Sequence, residues 1–220
     1  MKSLFGGFLA GLCIAIGCNV YLNNAIPLIG AVFFSVALLS ICLLHLSLYT
    51  GKIGFLAANH SRKDIFDIIF CLIGNIIGTS LIALIPFEVH NENLLKLCNQ
   101  KVEQELYMVL INAFLCGVLM YIAVYIYKEK KTIAGILFCV PTFIICGFEH
   151  VIADIYYFVA AKSINKDTLI FLSLVLIGNT LGSLAFASIF CFTPHSDSLL
   201  SRTPPSAVIP LLEKKILLAK

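Results

Sequence analysis

Apolar runs of about twenty residues decide what this chain can fold into. Leu4 to Tyr21, Pro27 to Leu46 and Met108 to Tyr127 are each long enough to span a hydrocarbon core of about 30 Å. Of the 220 residues, 60% are hydrophobic and only 12% are charged. A soluble domain carries about 25% charged residues, so the surplus apolar surface calls for lipid as its solvent. No small-x-small cleavage site leads from the first run into a polar domain, so that run reads as a crossing and not as a removed signal.

The polar chemistry is correspondingly sparse. Cys13, Cys18, Cys42, Cys71, Cys116, Cys139, Cys146 and Cys191 sit inside apolar segments, where a free thiol behaves as a small hydrophobe; Cys98 alone falls in a polar connection. There is no C-x-x-C pair and no Cys/His ligand cluster, so no metal and no cofactor are expected. The net charge of +3 gives no reason to expect a nucleic-acid partner.

Six crossings are predicted, at Leu4–Leu22, Pro27–Asn59, Ile65–Phe87, Gln104–Lys128, Ile133–Ala161 and Thr168–Phe192. Their connections alternate in charge. Lys2, Arg62, Lys63, Lys128, Lys130, Lys131, Arg202, Lys214, Lys215 and Lys220 fall on one side, and Lys96, Lys101, Lys162 and Lys166 on the other, with acids nearby. The excess of positive charge puts both termini in the cytoplasm. The expected organisation is an all-α transmembrane domain over 1–192 and a flexible cytoplasmic tail over 193–220, marked by Pro194, Pro204 and Pro205.

The second and fifth segments are too long for one ordinary span, and each is interrupted. Leu44-His45-Leu46-Ser47-Leu48-Tyr49-Thr50-Gly51-Lys52 breaks the second, and Gly147-Phe148-Glu149-His150 breaks the fifth. Backbone groups freed inside a bilayer must be satisfied by protein or by a water-filled cavity. The halves also echo one another. Gly74-Asn75-Ile76-Ile77-Gly78 in the third segment returns as Gly178-Asn179-Thr180-Leu181-Gly182 in the sixth, an offset of 179 − 75 = 104 residues. Small residues at such spacing permit close helix packing. Two copies, each following a broken helix, further predict inverted three-helix repeats over about 1–87 and 104–192, with a transport site where the breaks meet.

Gly147-Phe148-Glu149-His150-Val151-Ile152-Ala153-Asp154 resembles the fifth-helix signature G-F-E-H-S-x-A-N of the formate/nitrite transporter family, and both G-N-x-x-G elements match as well. The resemblance runs from Lys2 to Phe192. It implies an aquaporin-like protomer, a homopentamer in the plasma membrane, and a pore in each protomer. Carried over, His150 is similar to the family's central pore histidine and Thr50 to its threonine partner, with Leu48 and Tyr49 beside it. Phe34, Phe143 and Leu38 match constriction positions, and Lys2 and Lys101 match lysines of the two vestibules. Gly117 and Asp154 depart from the pattern, each standing where the family has Asn.

These residue types suit the passage of a small monovalent anion. Desolvating an isolated charge is costly, so cations at the mouths must draw the anion in and a donor must meet it in the dry section. Lys2 and Lys101, with inward-pointing half-helix N-termini, fit the first task. His150 fits the second, by donating a hydrogen bond or a proton. Glu149, Asn75 and Asn179 are expected to support the breaks. Formate is the leading substrate implied by the resemblance, with nitrite, hydrosulfide and lactate as alternatives, and protons as further partners where the cycle is coupled. An aquaporin-like neutral facilitator would carry Asn-Pro-Ala triplets, which the sequence lacks, and an enzyme would need a nucleophile set, metal cluster or nucleotide loop, of which none is present.

Overall fold

The computed structural model describes residues 1–58, 61–86 and 91–191. The expected tail, and the outermost residues Asn59, Phe87 and Phe192 of three predicted segments, lie outside them. Among the described residues, four helices are long and apolar enough to cross a membrane: α1 (Lys2–Leu22), α4 (Arg62–Ala83), α6 (Leu106–Lys130) and α9 (Lys166–Cys191). Between them come shorter pieces, α2 (Pro27–Leu43), α3 (Tyr49–Lys52) with a 3-10 turn at Ile53–Ala57, α5 (Asn91–Val102), α7 (Ala134–Ile145) and α8 (Val151–Ala160). Met1–Ala187 forms one compact unit; of the second, Ser188–Lys220, only the end of α9 is described.

Local chemistry sets several boundaries. Pro27 opens α2 at a position where its missing N–H costs nothing. Ser61 and Asp64 close a capping box on α4, each side chain accepting the other's backbone N–H at 3.2 Å. Helix α5 was not expected from the sequence, which shows only a polar connection there. Its apolar residues Leu94, Leu97 and Cys98 recur at helical spacing, and Leu94 and Cys98 are buried.

The two interruptions end their first helices in the same way. At α2 the Leu46 N–H reaches back to the Ile41 carbonyl at 2.9 Å, and at α7 the Phe148 N–H reaches the Phe143 carbonyl at 2.9 Å. This is the six-to-one closure of a Schellman turn, which needs a left-handed residue at its corner. His45, at φ 54°, supplies it in the first break and Gly147, at φ 69°, in the second.

Long helices pack through glycine. A Cβ on Gly78 of α4 would strike the Phe8 carbonyl of α1, and one on Gly182 of α9 would strike the Phe114 carbonyl of α6. Such contacts draw backbones together where lipid offers no hydrophobic drive between helices. Helices α1, α2, α4, α7 and α8 pack around the core, which includes Ile14, Phe34, Leu38, Ile152, Tyr156 and Phe158. Elsewhere large apolar side chains such as Phe5, Phe33, Phe66 and Phe138 are exposed, as a lipid-facing surface requires.

Candidate functional site

Two asparagines hold the breaks open. In the first, Asn75 accepts the Tyr49 N–H at 2.8 Å and donates to the Ser47 and Gly7 carbonyls at 2.9 and 2.8 Å. In the second, Asn179 accepts the Val151 N–H at 3.0 Å and donates to the Glu149 and Ala113 carbonyls, both at 2.8 Å. Each side chain thus satisfies a backbone donor and acceptor freed by the break and ties it to a neighbouring helix. Both are wholly buried, where an unpaired amide would be expensive.

The segments held in this way bring His150 and Thr50 together. Thr50 Oγ1 and His150 Nε2 lie 2.8 Å apart, 100 residues distant in sequence and both buried. His150 also caps α8, its Nδ1 accepting the Ala153 N–H at 3.3 Å. In the neutral ring that bond leaves the proton on Nε2, so Nε2 donates to Thr50 and the threonine hydroxyl keeps its own hydrogen for another acceptor. Phe143 stacks on the imidazole at 5.7 Å between ring centres, and Phe34 meets Phe143 edge-on at 6.1 Å.

A cavity flanks this pair on each side. The first, of about 330 Å³, is lined by Phe34, Phe143, His150, Glu149, Asp154 and Lys101, among others. The second, of about 250 Å³, is lined by Leu38, Leu48, Gly51, His45 and the lysines Lys52, Lys128 and Lys131, among others. Leu38 and Leu48 are 1% and 2% exposed, so between the cavities lies a dry plug of two leucines, two phenylalanines and the His150–Thr50 pair.

The mouths differ in charge. In the first cavity Lys101 Nζ binds the Glu149 carboxylate and lies 2.9 Å from Asp154 Oδ1. Gln104 donates to Glu149 Oε1 at 2.7 Å and is itself held by Asn112. Burial disfavours the ammonium, yet the Asp154 and Glu149 carboxylates outweigh it and hold Lys101 above the ordinary lysine range. In the second cavity Lys52 donates to Ser47 Oγ at 2.7 Å and Lys128 lies 3.8 Å above the Phe55 ring.

His150, Phe34, Phe143, Lys101 and Glu149 thus line the first cavity, with Thr50 bonded to His150, and Leu38 and Leu48 line the second, while Asn75 and Asn179 hold the segments that carry them. Tyr49 faces away, its hydroxyl 2.7 Å from Thr180 and its ring among Ile53, Ile68 and Cys71. Lys2 is exposed at the start of α1 and lines neither cavity. The cavity cations Lys52, Lys128 and Lys131 were not picked out from sequence as site residues. Lys128 and Lys131 read there only as an orienting cluster, and Lys52 only as a polar interruption.

An apolar helical bundle whose two cavities meet at a buried polar pair has the make-up of a membrane transport protein. The profile described as "Formate/nitrite transporter" matches residues 1–193, and the chain belongs to that family. It is 27% identical over 228 residues to the "Uncharacterized transporter YrhG" of Bacillus subtilis (strain 168), covering 89% of this chain and 86% of that protein. Its fold matches an "FNT family ion channel" with a TM-score of 0.74 at 20% identity, covering 88% of this chain and 89% of the other. A "Pentameric formate channel with formate bound" matches with a TM-score of 0.70 at 18% identity, covering 86% and 94%.

Proposed function

We propose that this protein moves a small monovalent anion, formate first, along the line from the Lys128 cavity through the His150–Thr50 pair to the Lys101 cavity. The observation that carries the reading is the placement of that pair, the polar donors of the dry plug, between two cavities. Six crossings in two inverted repeats within a 1–192 transmembrane domain, a homopentamer in the plasma membrane, and cytoplasmic termini complete it. The expected tail, 193–220, would then also be cytoplasmic. The matching helix breaks and the likeness in fold to a pentameric formate channel support these features.

The physics of each step follows from the residues. Lys52, Lys128 and Lys131, with Lys2 on the same face, raise the local concentration of anions at the cytoplasmic mouth. Lys101 stands at the other mouth. In the plug, the anion accepts hydrogen bonds from the Thr50 hydroxyl and the His150 Nε2–H in place of water. A charged anion in so apolar a section is costly. In a proton-coupled cycle a proton taken at Nδ1, with loss of the bond from the Ala153 N–H, makes His150 an imidazolium; Nε2 passes its proton to the anion, and exchange of the Nδ1 proton for one at Nε2 restores the starting ring. The conjugate acid then crosses the Phe34–Phe143 constriction.

The test is anion flux into proteoliposomes, comparing formate, nitrite, hydrosulfide and lactate at acidic and near-neutral pH, with His150→Phe alongside. Formate is expected to lead, and the variant to fall to the protein-free background while still assembling as a pentamer. Wild-type flux and pH dependence in His150→Phe would end this reading.

A further inference from the structure

The Lys101 mouth holds more negative than positive charge. Around one ammonium sit two carboxylates, Glu149 and Asp154, which are 2% and 1% exposed. Three of the four carboxylate oxygens have donors. Glu149 Oε1 takes a hydrogen from Gln104, while Glu149 Oε2 and Asp154 Oδ1 take theirs from Lys101. Asp154 Oδ2 is buried with no hydrogen-bond partner, and Asp154 and Glu149 are bridged by the one Lys101 ammonium.

Among the described residues, no other cation faces this group. Cys18 of α1, Cys98 of α5, Cys116 of α6 and Tyr157 of α8 lie close enough to Asp154 to feel its charge, and none of them supplies a positive one. His150, four residues away in sequence, already uses Nδ1 to cap α8 and Nε2 to meet Thr50. An excess buried charge is costly, and neighbouring carboxylates relieve that cost by sharing a proton. A proton on Asp154 makes the orphaned oxygen a donor and removes the like-charge repulsion between the two carboxylates across Lys101.

We propose that Asp154 and Glu149 form a proton-binding site, one proton shared between them beside Lys101, whose occupancy switches this mouth from negative to neutral. The consequence for transport rests on the proposed function. With the proton bound, Lys101 is balanced by a single carboxylate and an anion enters the cavity without opposition. When the proton is lost, the remaining charge repels it. Anion entry from this face is therefore expected to rise several-fold as the pH on this face falls. Asp154 stands where the family pattern has Asn, so Asp154→Asn recreates the neutral form permanently.

Two readouts test this on the full-length protein. Infrared difference spectra of the wild type are expected to show a protonated-carboxyl band that titrates with pH, ignores sodium, and vanishes in Asp154→Asn. In proteoliposomes, Asp154→Asn is expected to raise neutral-pH formate entry from this face several-fold, toward the wild-type acidic rate. The absence of such a band in the wild type at any pH would overturn the proposal without any variant having to fold. A band displaced by sodium, or one that persists in Asp154→Asn, would overturn it too, as would unchanged neutral-pH entry in an assembled variant. A titrating band in a protein that passes no anion would uphold the proton site and sink only the transport reading.

Discussion

At the break between α2 and α3 the side chains facing the cavity are basic or apolar, whereas at the break between α7 and α8 they are acidic around a single lysine. The backbones of the two breaks are nonetheless alike. Each first helix closes with a six-to-one bond around a left-handed corner, and each second helix receives its first N–H bond from an asparagine of a G-N-x-x-G element. The difference teaches which parts are scaffold. What recurs at both interruptions satisfies the backbone, and what differs between them sets the charge of the neighbouring cavity.

The largest effects are expected where the halves agree. Asn75→Ala and Asn179→Ala each delete three hydrogen bonds to backbone groups and leave those buried groups unpaired, at about 1–3 kcal/mol apiece. Each variant should lose several kcal/mol, read as a large drop in thermal midpoint in detergent or as failure to assemble. The two losses should be of similar size. If one proved harmless, the breaks would not be equivalent and the shared scaffold would be refuted.

The next effect separates the mouths. Lys101→Met strands two buried carboxylates, and removing one partner of a buried ion pair costs about 3–5 kcal/mol. Adding Asp154→Asn to that variant should recover part of the loss. Lys128→Met breaks no carboxylate pairing and removes a cation held over Phe55, a contact worth about 0.5–2 kcal/mol. It should cost little stability while lowering anion capture from its face, most clearly at low ionic strength. Equal destabilisation by the two lysine variants would show that the mouths do not differ as drawn.

Much of this was legible in the residues. The long apolar runs announced the membrane, and the paired G-N-x-x-G elements marked the asparagines that hold the breaks. The interruptions located His150 and Thr50, although only the fold shows their side chains meeting 2.8 Å apart. What escaped notice has physical reasons. Charge near a helix end reads as topology until the helix is placed, so Lys128 and Lys131 hid in an orienting cluster. Tyr49 neighbours Thr50 in sequence, yet successive residues of a helix point in different directions, and its ring goes to another cluster. Helix α5 was missed because its buried stripe is narrow and most of its other residues are polar, and with it went the contact between Lys101 and Asp154.

The smallest effect probes the left-handed corners alone. His45 and Gly147 occupy matching positions at φ 54° and 69°, but only the second is glycine. A side chain in this conformation costs roughly 1–2 kcal/mol, offset in part by glycine's greater freedom when unfolded. A Cβ added at Gly147 would meet nothing within 4 Å, so Gly147→Ala samples the backbone penalty without a clash. It should destabilise by about 1 kcal/mol, whereas His45→Gly should stabilise by about 1 kcal/mol or less, both read from thermal midpoints. His45 also lines the basic cavity, so its side chain has a second neighbourhood besides the turn. A stability loss in His45→Gly would mean that its side chain, and not only its backbone, builds the turn.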